Sequence, residues 1–310
     1  MKEQKVYFNM NIYQNKFEFI NKHRYLIILS ALLFILSIFL FFFKGLNLGI
    51  DFKGGTVIEM QFDKQIKSEQ IRKELLKLNL GDVKVKEFGK SNNHLAIIEK
   101  KGTENNFVSN IKSHLNNNLN SSADFRRVEI VGPKISQELT EKGLIAVSLA
   151  LICMLIYIWF RFEWQFSVGA IFALTHDVFI TIGVFSLLAY EFNLSIVAAV
   201  LTIIGYSMND TVVIYDRIRE NLKKFDKKDL SILLNDSINE TLPRTIKTSV
   251  TTLLALISIY FFGGEILKGF SFALIWGVII GTYSSIFIAS PILLYINLKR
   301  DWSEKIDNTP

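Results

Sequence analysis

The sequence predicts an α-helical polytopic membrane protein with six transmembrane helices and a small extracytosolic α+β domain between the first two. Three observations predict it. Half of the 310 residues are hydrophobic and mean hydropathy is +0.30, too apolar for an ordinary soluble chain of this length. Apolar runs long enough to cross a bilayer recur along the chain. Between the first two of them, residues 44–142 contain no such run and alternate between strand-like and helix-like patterning.

The first run, Tyr25–Phe43 (YLIILSALLFILSIFLFFF), is unbroken. At 1.5 Å per residue it spans about 28 Å, the thickness of the hydrocarbon core. It is longer than a typical signal-peptide core and no small-x-small cleavage site follows, so an uncleaved anchor is expected, with residues 1–24 as a cytosolic segment. In the polar stretch, Thr56–Phe62 alternates like a strand. Ser68 is the expected cap of a helix whose Ile71, Leu75 and Leu78 share one face. Val83–Phe88 and His94–Glu99 read as strands around a turn at Ser91-Asn92-Asn93. Thr103 is the expected cap of a second helix carrying Phe107, Ile111 and Leu115, and Phe125–Val131 is a last strand. The order β-α-β-β-α-β predicts a small ferredoxin-like sandwich. Its core must suffice without a disulfide, because the chain has one cysteine, Cys153, and that lies in an apolar run.

Residues 143–298 read as a five-helix bundle: Gly143–Phe160, Phe166–Tyr190, Leu194–Tyr215, Ile246–Phe262 and Phe270–Leu298, followed by a tail at 299–310. A polar loop at 216–242 interrupts the series, and its amphipathic part, Asp229–Asn239, is expected to lie as a helix at the membrane interface. An even number of crossings puts both termini on one side. Lys2, Lys5, Lys16, Lys22, Arg24, Arg161, Arg217, Arg219, Lys223, Lys224, Lys227, Lys228, Lys299, Arg300 and Lys305 mark that side as cytosolic; the opposite short loops carry only Glu191, Glu265 and Lys268. The net charge of +6 thus speaks to orientation, and no nucleic-acid partner is expected.

The chemistry is expected where ionisable residues enter these spans. In IIGYSMNDTVVIYDRIREN (Ile203–Asn221), Asp210 lies about 10 Å inside the cytosolic boundary set by Arg217. A carboxylate at mid-helix costs about 2.5–3.5 kcal/mol on insertion scales, so it must face other helices or a water-filled cavity. Thr202, Tyr206, Asn209, Val213 and Asp216 follow helical spacing, with Asp210 and Arg217 on the adjoining row. The fifth span opens with TLPRTIKTSVTTLL, where Pro243 suits a first helical turn. Arg244 then sits at the membrane boundary with Thr245, Thr248 and Thr252 above it, a basic partner at a compatible depth. His176 and Asp177, in the third span, read as a local pair supporting this network, with a direct proton role as the alternative reading. Two readings of Asp210 stay open on these grounds: a proton site, and a permanent clamp in which it pairs with Arg244 to fix helix packing. After the first span, NLGIDFKGGT supplies Asp51, Gly54 and Gly55; the glycines permit a tight bend into the first strand, and the absence of a Gly-Lys-Ser/Thr helix start argues against a phosphate loop.

Taken in order, LGIDFKGGT, VGPKIS (Val131–Ser136), YIWFRFEW (Tyr157–Trp164), GYSMNDTVVIYDRIREN and LPRTIKTSVTTLLAL resemble the SecF family of bacterial protein-export membrane proteins, over about Phe17 to Leu298. The resemblance implies half of a resistance-nodulation-division type fold in the cytoplasmic membrane, assembling with a SecD partner and with the SecYEG channel, with YajC and YidC as further associates and translocating preproteins as clients. It implies use of the proton-motive force late in export, no cofactor, and proton conduction by the residues matching Asp210 and Arg244. It implies no enzymatic activity of the chain's own.

Two rival functions have less support. A half-unit of a proton-driven efflux or lipid transporter of the same superfamily would need a second six-span half and a larger exported domain with a substrate cleft. An intramembrane aspartyl protease would need Asp177 and Asp210 to share a proton, and its Gly-x-Gly-Asp motif is replaced here by Ser207-Met208-Asn209. No metal cluster, nucleophile triad or nucleotide loop is legible.

Overall fold

A computed structural model of the chain describes residues 17–87, 92–99, 106–225, 227–296 and 298. The expectations for Ser91, Thr103, the first sixteen residues and the tail at 299–310 lie outside the described residues. Among these, six helices are long and apolar enough to cross a membrane. In chain order the elements are α1 (His23–Phe43), β1 (Asn47–Leu48), α2 (Ile50–Lys53), β2 (Gly55–Phe62), α3 (Ser68–Leu76), β3 (Val83–Glu87), β4 (Asn93–Ile98), α4 (Phe107–Leu119) and β5 (Ala123–Val131). The bundle follows as α5 (Pro133–Arg161), α6 (Trp164–Leu188), β6 (Glu191–Phe192), α7 (Leu194–Lys224), α8 (Leu230–Phe262), α9 (Glu265–Ser284), a π-helical turn at Ser285–Ala289, and α10 (Ser290–Ile292).

β2 to β5 form one antiparallel sheet in the order β3-β4-β2-β5. The even-numbered residues of β2, Ile58, Met60 and Phe62, point to the face covered by Ile71 and Leu75 of α3 and Ile111 and Leu115 of α4, giving this domain its own core. Ser68 does not cap α3. The helix starts at Ser68 itself, and the Ser68 hydroxyl meets Nδ1 of buried His94 on β4 at 3.2 Å.

The domain is joined to the bundle by more than its chain ends. β1 pairs in parallel with β6, Asn47 opposite Glu191 and Leu48 opposite Phe192, and the Gly49 N–H donates to the Phe192 carbonyl at 2.9 Å. The bend after α2 uses positive φ at both glycines, +77° at Gly54 and +137° at Gly55. A Cβ on Gly55 would stand 2.6 Å from the Ile98 carbonyl oxygen, so neither the angle nor the space admits a side chain.

In the bundle, the most apolar 18-residue stretches of α6, α7 and the span containing α9 are more than half buried, whereas those of α1, α5 and α8 turn mostly outward. Close approach comes from small residues: a Cβ on Gly277 of α9 would overlap Ile203 of α7, and one on Gly183 of α6 would overlap Ser37 of α1.

Three elements outrun the apolar pattern. α5 begins at Pro133, well before Gly143, because a proline at the first turn and polar residues suit a helix that continues out of the apolar slab. α7 continues to Lys224, and the stretch expected to lie along the interface is instead the first turns of α8, which the Asp229 carboxylate caps through Ser231 and Ile232. The reason is mutual burial: Ile218 and Leu222 of α7 share a core with Leu233, Leu234 and Ile238 of α8. Arg217 bonds Glu240 at 2.5 Å, and Asn221 bonds Ser237 at 2.9 Å. Pro243 therefore sits inside α8 rather than at its first turn. The Thr241 hydroxyl donates to the Ser237 and Ile238 carbonyls in the turn that the proline crowds.

Candidate functional site

α7 crosses the middle of the bundle between α6, α8 and α9, so each of its faces presents side chains to a different neighbour. Asp210 is on the buried face, 3% exposed. Its carboxylate accepts a hydrogen bond from Thr282 of α9 at 3.4 Å. The Thr282 hydroxyl in turn meets Ser249 of α8 at 2.8 Å. Asp210 is thus tied to both neighbouring helices through two hydroxyls rather than through a cation.

Arg244 lies on α8 at a position exposed on this chain. Among the described residues no ion pair joins the two. Thr248, one turn above Arg244, directs its hydroxyl to the Arg244 and Thr245 carbonyls of its own helix. Tyr206 reaches α8 at Thr252 across 3.5 Å. Asn209 is exposed, on the outward side of α7. Of the predicted network, then, Asp210 and Tyr206 face the α7–α8–α9 junction, and Asn209 does not.

His176 and Asp177 lie elsewhere in the bundle, where α6 meets α7 and α9. Both are buried. Asp177 accepts from Ser207 of α7 at 2.7 Å and from Ser284 of α9 at 2.8 Å on one oxygen, and pairs with His176 Nδ1 at 3.1 Å on the other.

Sequence reasoning overlooked Thr282, Ser249, Ser207 and Ser284. A signal was present for the two on α9: Thr282-Tyr283-Ser284-Ser285 is a run of four hydrogen-bonding side chains inside an apolar span, which lipid alone would not tolerate.

At the far end of α7, its first backbone N–H, on Leu194, is taken by the Asp51 carboxylate at 2.8 Å. Asn193 takes the N–H of Ile196 at 3.2 Å. Asp51 thereby clips the segment that leads into the α/β domain onto the helix that carries Asp210. Glu191 sits in this junction, its Oε1 2.8 Å from where a Cβ on Gly49 would be. Burial raises its pKa above the ordinary glutamate range, opposed by Lys86 and Lys84 and assisted by Asp51.

Known proteins match this chain over most of its length. The family model described as protein export membrane protein SecD/SecF, C-terminal, matches residues 111–299, and that of the SecD/SecF GG motif matches residues 39–66. The chain belongs to the SecD/SecF family. It is 44% identical over 287 residues to protein translocase subunit SecF of Rickettsia rickettsii, covering 91% of this chain and 93% of that protein. SecF of Magnetococcus marinus is 45% identical over 286 residues, covering 91% and 92%. The crystal structure of SecDF, a translocon-associated membrane protein from Thermus thermophilus, superposes with a TM-score of 0.82 at 35% identity, over 91% of this chain and 39% of that longer one. Membership of the SecF branch makes the chain a helical, polytopic protein-export membrane protein, and the six spans fit that fold. The GG motif is the Gly54-Gly55 bend, whose need for glycine is now explained by the Ile98 carbonyl.

Proposed function

We propose that the chain is an auxiliary subunit of the Sec protein-export machinery of the inner membrane. It works beside a six-span SecD partner and the SecYEG channel, and couples the proton-motive force to late movement and release of preproteins. The reading needs no cofactor and no hydrolytic chemistry. The observation that carries it is the placing of Asp210, a buried carboxylate held by a hydroxyl pair at the junction of three spans, with its cation near but not bonded.

Such a group has two workable states. Charged, it is favoured by the Arg244 field and by the Thr282 hydroxyl. Protonated, it no longer burdens the bundle with a net charge. Exchange of that proton alters what holds α7, α8 and α9 together at one point, and α7 ends on the Asp51 clip beneath the α/β domain. With both termini cytosolic, that domain is extracytosolic and ferredoxin-like, placed to act on the emerging chain. One charge moved through 100 mV releases about 2.3 kcal/mol, enough to bias a two-state motion nearly fiftyfold.

The test is Asp210→Asn in inverted vesicles carrying the partner and the channel, loaded with a stalled preprotein. Asn keeps size and a hydrogen bond but does not ionise. The expected result is normal assembly with loss of the gradient-dependent part of export. Completion at the wild-type rate and with wild-type gradient dependence would leave Asp210 as a packing clamp.

A further inference from the structure

The His176–Asp177 pair has a buried ring nitrogen, His176 Nε2, with no hydrogen-bond partner among the described residues, and the Asp210 site does not use it. Asp177 receives three contacts: hydroxyl donors Ser207 and Ser284 on one oxygen and His176 Nδ1 on the other. An Nδ1–H donating to the carboxylate leaves Nε2 of His176 as a bare lone pair. That atom is buried and has no hydrogen-bond partner among the described residues. Among the described residues, no lysine or arginine pairs with His176 or Asp177 at ion-pair distance. The titratable groups around the pair are each other on α6, Tyr283 on α9, whose ring lies 6.3 Å from the imidazole and nearly parallel to it, and Asp210 on α7, one turn beyond Ser207. From α1 the neighbours are uncharged: Tyr283 donates to the Leu26 carbonyl at 3.0 Å and meets Ser30 at 2.8 Å.

In this arrangement an ionised Asp177 beside a neutral His176 leaves one uncompensated negative charge in the bundle. A proton taken up at Nε2 forms an N–H bond on the free lone pair and breaks no existing hydrogen bond. The water that delivers it keeps the bonding electrons. The pair becomes carboxylate and imidazolium, with no net charge. We propose that His176 and Asp177 form a second proton-binding site of the bundle, loaded at His176 Nε2. Its place fits use in series with Asp210. Ser207 is three residues before Asp210 on α7, about 4.5 Å nearer the Leu194 end, and Ser284 is two residues past Thr282 on α9, about 3 Å along the axis and on the other side of that helix. The same two helices therefore hold both carboxylates. The link to export rests on the proton-coupled reading above; proton uptake by the pair does not.

The experiment is nitrogen NMR of the full chain, labelled with ¹⁵N-histidine and reconstituted in lipid bilayers, across a pH series. The chain has four histidines, and the signal missing from His176→Gln belongs to His176. If that variant does not fold, dipolar coupling between Nδ1 and the Asp177 carboxyl carbon assigns the signal in the unmodified chain. The bare Nε2 resonance is expected to convert to a protonated one as pH falls. In Asp177→Asn, with the countercharge gone, conversion is expected at a proton concentration at least tenfold higher. In Asp210→Asn it is expected to persist. The proposal is overturned if Nε2 stays bare over the whole pH range in which the chain is folded, or if Asp177→Asn leaves the conversion where it was. Should Asp210→Asn vesicles keep gradient-dependent export while His176 titrates, Asp210 falls as the coupling site and the second site stands.

Discussion

Two carboxylates far apart in sequence but together in the junction, Glu191 at β6 and Asp51 at the clip, show how context divides like residues. Asp51 takes the first N–H of α7 and is held by it. Glu191 is buried against the glycine turn, and its pKa is raised chiefly by desolvation. The sign follows from proton counts. Between the ordinary glutamate value and the raised one, the folded chain binds more protons than the unfolded chain, so stability falls as pH rises through that window and the cost is complete above it. Glu191→Gln is therefore expected to raise the melting temperature at neutral pH, with the gain fading as pH falls toward about 4. Equal melting temperatures at pH 7 would show that Lys84 and Lys86 already offset the burial. Asp210, by contrast, was legible from sequence because a lone carboxylate in an apolar run has few structural reasons to exist. Its hydroxyl partners were not, since which face of α9 meets α7 is set by packing at Gly277 and Gly281.

At the scale of elements, the N-terminal half of α8 does more than continue a span. Asn235 accepts from the Phe19 and Ile20 N–H groups at 2.8 and 3.3 Å and donates to the Phe17 carbonyl, and Asn239 brackets Phe17 from both sides. The segment leading into α1 is thereby fastened to the helix that carries Arg244. Each such partly exposed bond contributes at the low end of 0.5–1.5 kcal/mol. Asn235→Ala is expected to cost about 1 kcal/mol locally and to speed amide exchange at Phe19 and Ile20 about fivefold. Exchange at the wild-type rate would mean that packing of Phe19 on Phe287, not the asparagine, holds the segment. The sequence pattern placed a separate amphipathic helix here, because periodicity reports an apolar face without saying what covers it. Burial against Ile218 and Leu222 decided that the face belongs to α8.

At the scale of the whole molecule, the unequal burial of the six spans is informative. α6, α7 and α9 are enclosed by this chain, but α8 presents Arg244, Lys247, Val250, Thr251 and Leu254 outward. A row that mixes a guanidinium and a hydroxyl with apolar side chains suits a protein neighbour better than lipid. In a Cys153→Ser background, Leu254→Cys is expected to be alkylated by a lipid-soluble maleimide when the chain is made alone, and to be protected at least fivefold when the six-span partner is co-expressed. Equal labelling in both would place the partner on another face.

The sequence by itself determined the number of spans, the β-α-β-β-α-β order of the domain, the glycine bend and the presence of a membrane carboxylate. Each of these is written in local composition and period, and the cost of a charge in hydrocarbon needs no knowledge of neighbours. Only the tertiary structure decided that Asp210 is held by Thr282 rather than bonded to Arg244, that His176 Nε2 is buried without a hydrogen-bond partner among the described residues, that Asn209 faces out, and that Asp51 ties the domain to α7. Those facts depend on helix rotation and on contacts between residues far apart in the chain, and no local pattern encodes the partner that fills a face.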